Sequence, residues 1–133
     1  MKGGCHCGNI RFEVKGKPLW TGFCHCSDCK KISGSVGMGF VEYNLKNFNI
    51  LKGKPTEYKS SKKVKRSFCD RCGSPITYSY IFMKKYKDKI YIPLGIFDNS
   101  KNFGIKEHIF VSQKLPWIHI HSNISQDITM ESK

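Results

Sequence analysis

The chain has 133 residues, a length suited to one domain with one modest core, and no apolar run near the ~20 residues needed to cross a bilayer. Its seven cysteines are odd in number and its start, Met1-Lys2-Gly3-Gly4-Cys5, carries no apolar leader, so a secreted disulfide scaffold is not expected and a soluble, cytoplasmic protein is. The formal charge of +13 would suit nucleic acid, but a chain without alanine and rich in Lys, Ile, Asn, Phe and Tyr has the composition of an AT-biased coding sequence; a small anionic substrate is the better expectation.

The first element in chain order is Cys5-His6-Cys7-Gly8, two sulfurs one residue apart, with alternation setting His6 on the opposite face. Ile10, Phe12 and Val14 then alternate with Arg11 and Glu13, the period of a half-buried strand, before a turn at 16–18. Cys24-His25-Cys26-Ser27-Asp28-Cys29 repeats the Cys-His-Cys form and adds a third sulfur, and residues 27–33 read as a short helix. Strand periodicity returns at 38–41, 48–51, 65–69, 76–80 and 89–96, with turns at 53–55 and 98–100 where Gly, Pro, Asn and Asp gather. Two basic runs, 59–66 and 84–89, read as solvated faces. From Ser122 on the pattern fades, giving an expected domain over 1–121 and a loose tail over 122–133.

Cysteines this close in sequence point to metal, because thiolate is the side-chain ligand that suits zinc best and small disulfide rings are strained. Cys69-Asp70-Arg71-Cys72-Gly73 has the form of a zinc knuckle, with a glycine able to turn left-handed after the second sulfur. Seven divides into four plus three. Cys5 and Cys7 can complete the knuckle, leaving Cys24, Cys26 and Cys29 as a site with one open position; the lesser alternatives are that they join the middle cluster, or that His108, His119 or His121 closes the three-sulfur site. Lys30 and Lys31 stand ready to attract a carboxylate, and Asp28, His25 and Ser33 are near enough in sequence to move a proton.

The three cysteine motifs, in this order, resemble the glutathione-dependent formaldehyde-activating enzyme family, also called the CENP-V/GFA family. The likeness lies in Gly4-Cys5-His6-Cys7-Gly8-Asn9-Ile10-Arg11-Phe12, in residues 24–34, in Phe68-Cys69-Asp70-Arg71-Cys72-Gly73-Ser74, in Gly95-Ile96-Phe97-Asp98, and in the closing His108-Ile109-Phe110-Val111 and Leu115-Pro116-Trp117. The resemblance implies a mainly β, zinc-binding β-tent domain of short antiparallel strands. It also implies a structural zinc on Cys5, Cys7, Cys69 and Cys72 and a catalytic zinc on Cys24, Cys26 and Cys29. The implied activity is that of a carbon–sulfur lyase joining a small thiol such as glutathione to an aldehyde, giving S-hydroxymethylglutathione or a related product. The alternative is a non-enzymatic zinc module that binds protein or nucleic acid, which the net charge favours and an open three-cysteine site does not.

Overall fold

The computed structural model describes residues 1–128 and contains two sheets and one short helix. β1 (Lys2–Gly4), β2 (Arg11–Val14) and β5 (Phe48–Lys52) form a three-stranded antiparallel sheet in the order β1-β2-β5. The larger sheet draws on β3 (Trp20–Cys24), β4 (Met38–Asn44), β6 (Thr56–Lys59), β7 (Val64–Phe68), β8 (Pro75–Tyr80), β9 (Lys89–Pro93), β10 (Glu107–Ile109) and β11 (Ser125–Gln126). Its order is β11-β10-β3-β4-β9-β8-β7-β6, antiparallel except where β10 pairs parallel with β3 and with β11. The fold is therefore mainly β, as expected.

The central strands are covered on both faces, and the period of two divides their side chains accordingly. Val41 and Tyr43 of β4, with Ile90 and Ile92 of β9, pack against Phe12 and Val14 of the small sheet and against Phe97. Met38 and Phe40 of β4 and Tyr91 of β9 point the other way, into a second core with Tyr78, Ile109, Cys24 and Cys29. A third cluster, Cys5, Ile10, Cys69 and Ile76, joins the start of the small sheet to the β7–β8 connection. Close approach there requires glycine: a Cβ on Gly3 would sit 2.4 Å from the Ile96 carbonyl oxygen and 2.6 Å from the Phe12 ring.

The expected helix is present as α1 (Ser27–Ser33), which begins with the Cys26 sulfur accepting from the Cys29 amide and stops at Gly34 in the left-handed conformation, φ 65°. Residues 89–96 do not run as one strand; after Pro93 the apolar sequence continues as a single 3₁₀ turn over Leu94–Ile96. The segment from Ser122 is not wholly loose: β11 pairs with β10, and the Asp127 amide donates to the His108 carbonyl at 2.8 Å. A two-residue strand is too short to leave a period in the sequence. The remainder of that expected tail, 129–133, lies outside the described residues. No helix among the described residues is long and apolar enough to cross a membrane.

Candidate metal centres

The seven cysteines, all free, gather into two groups whose ligand atoms lie within 4.8 Å of one another: Cys5, Cys7, Cys69 and Cys72 in one, Cys24, Cys26 and Cys29 in the other. The division into four and three thus holds in space, and Cys5 and Cys7 go with the knuckle rather than with the middle cluster.

The four-cysteine group is built from two turns of the same design. In each, the amide of the first cysteine donates to the carbonyl five residues on, Cys5 to Ile10 at 3.1 Å and Cys69 to Ser74 at 2.9 Å. The glycine after the second cysteine then donates back to the first cysteine's carbonyl, Gly8 at 3.1 Å and Gly73 at 2.8 Å. Gly8 and Gly73 have φ of 79° and 80° with open space where a Cβ would stand, so backbone conformation rather than crowding calls for glycine. Ser74 fastens the turns together: its hydroxyl accepts from the His6 amide at 3.0 Å and lies 3.2 Å from the Cys72 sulfur.

The sulfur positions pass a test of fit. A zinc–sulfur bond of about 2.3 Å gives a tetrahedron with edges of about 3.8 Å. Cys5 and Cys7 are 3.6 Å apart, and Cys7 and Cys69 are 3.8 Å apart. Charge is also managed. The Ser74 hydroxyl, then its backbone amide, holds the Cys72 thiol down to about 5. Burial pushes Cys5 up, but the Ile10 amide, 3.2 Å from its sulfur, and the contact with Cys7 outweigh it and leave the thiol lowered. At Cys7 a backbone contact with Asn9 pulls down, yet burial and the neighbouring sulfurs push the thiol up to about 11.

The three-cysteine group sits where β3 ends and α1 begins. Cys24 closes β3 opposite Met38 of β4, Cys26 caps the helix, and Cys29 lies on its buried side. The closing segment straps this loop down. The His25 amide donates to the Ile109 carbonyl at 3.1 Å, the Ser27 amide to Gln113 Oε1 at 2.8 Å, and Lys30 Nζ to the Gln113 carbonyl at 2.6 Å. Contacts with Cys24 and Cys29 hold the Cys26 thiol down to about 2. Contacts with Cys26 and Cys29 push Cys24 far up. Cys29 is drawn down by Cys24 but pushed up more by Cys26 and by burial, to about 12, with the charge of Arg66 a smaller downward influence. Three sulfurs so placed compete for one negative charge, and a divalent cation among them removes the competition. Both groups therefore fit a metal ion.

Among the described residues, no histidine or carboxylate ligand atom joins the three sulfurs. His25 instead turns away: fully buried, it meets His108 through Nε2 and Nδ1 at 2.8 Å and pins the end of β3 to β10. Burial, then the charge of His108, lowers it to about 4. Ser33 is committed to helix carbonyls, with its hydroxyl donating to Cys29 at 2.7 Å. A cleft of about 220 Å³ is bordered by Ile32 one helical turn beyond Cys29, by Met38 and Phe40, by Arg66 and Tyr78, and by Phe68 and Gly73 of the knuckle; none of the seven cysteines lines it. Asp28, His25, Ser33, Lys30 and Lys31 do not line it. Sequence reading missed Arg66, submerged in a basic run, and Ser74; only the register across β6, β7 and β8 distinguishes the former from its lysine neighbours.

Two comparisons bear on this arrangement. Residues 1–113 match the sequence model of a family described as glutathione-dependent formaldehyde-activating enzyme. A crystal structure of a Rhodobacter sphaeroides protein, a structural-genomics target, has the same fold with a TM-score of 0.61 at 22% identity, covering 74% of this chain and 89% of that one.

Proposed function

Because the chain belongs to the glutathione-dependent formaldehyde-activating enzyme family, matched over residues 1–113, we propose that it is a zinc enzyme adding a small thiol, glutathione in the first instance, to an aldehyde. Cys5, Cys7, Cys69 and Cys72 hold a structural zinc, and Cys24, Cys26 and Cys29 hold a catalytic one. The observation that carries this reading is the contrast between the groups: four sulfurs in one and three in the other.

When bound by three thiolates, zinc supplies an electron-rich centre that favours the ionised form of a fourth, exogenous sulfur. The protein's part is positional. Cys26 and Cys29, one helical turn apart, and Cys24, at the end of a paired strand, offer three sulfurs from rigid elements. Phe40 and Tyr78 pack behind them in the same core and limit water. In the net reaction the thiol sulfur bonds to the carbonyl carbon, the carbonyl π pair moves to oxygen, and the thiol proton ends on that oxygen.

Metal analysis of protein purified without chelator is expected to find about two zinc ions per chain, the three-cysteine site releasing its ion first when a chelator is added. Iron absorption bands would contradict the assignment. For the activity, exchange spectroscopy of formaldehyde with glutathione should show faster formation of S-hydroxymethylglutathione when the zinc-loaded protein is added. An unchanged rate together with no binding of any thiol would overturn the reading.

One observation favours a second reading, a zinc module that binds a polyanion. Lys54, Lys65, Lys87 and Lys89 line a broad open groove of about 610 Å³ beside β5 and β8, and the exposed Phe82 stands at its edge. Tight, salt-sensitive DNA binding without thiol binding is the outcome that would select it.

A further inference from the structure

The cleft that Met38, Phe40 and Tyr78 border is lined by one cation, Arg66, and its setting is specific. Tyr58, Arg66 and Tyr78 stand directly opposite one another on the adjacent strands β6, β7 and β8, forming a cross-strand row, and all three line the cleft. The Arg66 guanidinium lies over the Tyr78 ring, 5.4 Å from its centre. Nε donates to Ser60 Oγ at 3.3 Å, which fixes the plane of the group. No carboxylate among the described residues pairs with it; the ion pairs there are Arg11 with Asp98 and Lys65 with Glu57. Among the described residues, none makes a hydrogen bond to its two terminal nitrogens.

An oriented guanidinium with both terminal nitrogens unused is matched to a planar anion, because its fork donates two parallel hydrogen bonds to a carboxylate. The remaining walls are largely apolar, Ile32, Met38, Phe40 and Pro93 among them, and the Ser67 and Thr77 hydroxyls are paired with each other at 2.6 Å. Such walls accept a short carbon chain. The cleft and the sulfurs share walls: Met38, Phe40 and Tyr78, which line the cleft, pack in one buried cluster with Cys24 and Cys29.

We propose that Arg66 is the specificity-determining residue of the cleft, and that the substrate class is a thiol carrying a carboxylate, held by Arg66 at one end with its sulfur at the Cys24, Cys26 and Cys29 site at the other. This rests on the thiol reading above and narrows it. Lys30 and Lys31, expected from sequence to attract the carboxylate, do not have this role; Lys30 is engaged with Gln113.

The test is a binding titration of the zinc-loaded protein with 3-mercaptopropionate, with its neutral methyl ester and with 2-mercaptoethanol, followed by calorimetry. The parent is expected to bind the acid at least about tenfold more tightly than the ester, a preference that shrinks as salt rises. Arg66→Gln should bring acid and ester within about twofold, while Arg66→Lys, keeping charge but not the fork, should fall between. Thermal melting identifies a variant that has lost its fold, and the acid-to-ester ratio of the parent reads the preference without any substitution. Equal binding of acid and ester by the parent, or an undiminished preference in Arg66→Gln, overturns the role of Arg66 and leaves the thiol reading standing. Failure of all three thiols to bind the parent overturns both.

Discussion

Replacing Cys69 by alanine is expected to unfold most of the domain at room temperature. Cys69 is completely buried, packed with Cys5, Ile10 and Ile76, and its sulfur lies 3.8 Å from that of Cys7, 62 residues earlier. A cross-link spanning a loop of that length contributes about 4 kcal/mol in the chain-entropy account. Whole domains are stable by only about 5–15 kcal/mol, so the loss of the ion alone consumes a large part of the margin. Adding the buried space left by the sulfur, a domain near the lower end of that range does not remain folded. Urea unfolding followed by circular dichroism measures the effect, and zinc content should fall with it. A Cys69→Ala protein melting within a few degrees of the parent would contradict the structural assignment of this site.

The second expected result is the opposite in kind. Cys29→Ser should keep the fold and abolish the function. Cys29 is buried beside Phe40 and Tyr78, and serine changes its volume little, so the cost in stability should stay below about 2 kcal/mol. Loss of a direct ligand, however, empties the site. Even outer partners of a metal cost up to about 100-fold in affinity or activity when removed, and a ligand should cost more than that. Thiol-dependent turnover and zinc content, measured on protein whose melting matches the parent, decide the matter. If Cys29→Ser unfolds the domain while Cys69→Ala remains intact and inactive, the roles of the two centres are exchanged.

These outcomes rest on features that were unequally legible in the sequence. Cysteine spacing carried the three local clusters, because sulfurs one to three residues apart have few ways to reach a common point, but not which clusters join; the structure brings Cys5 and Cys7 to Cys69 and Cys72. The positive φ at Gly73 was foreseeable from the knuckle form, and α1 from its position after the middle cysteines. Strand periodicity exposed β2, β4, β5, β7, β8 and most of β9. It did not expose β3, where Thr21 and Gly22 are buried and Phe23 only partly so, nor β10, which is a three-residue strand. The pairing of β10 beside β3 is a tertiary event, and so is the strap that fixes Gln113 against α1. Arg66 illustrates the limit most sharply. Among the lysines of 59–66 it looks like one more solvated cation, and only the neighbouring strands set it between two tyrosines.

The parallel union of β10 with β3 also bears on the order in which the protein can assemble as it is made. His25 and His108, which pin that union, are 83 residues apart in the chain. When β3 and β4 have left the ribosome, the outer edge of β3 still offers unpaired backbone groups to any passing strand. The three-cysteine loop at its end is likewise untethered until Ile109 and Gln113 emerge. The four-cysteine knot, complete once Ser74 is out, can close much earlier. Synthesis can thus pass through a stage in which the four-cysteine knot is clasped and the three-cysteine loop is not, which is the interval when mispairing and stray metals are the greatest hazard.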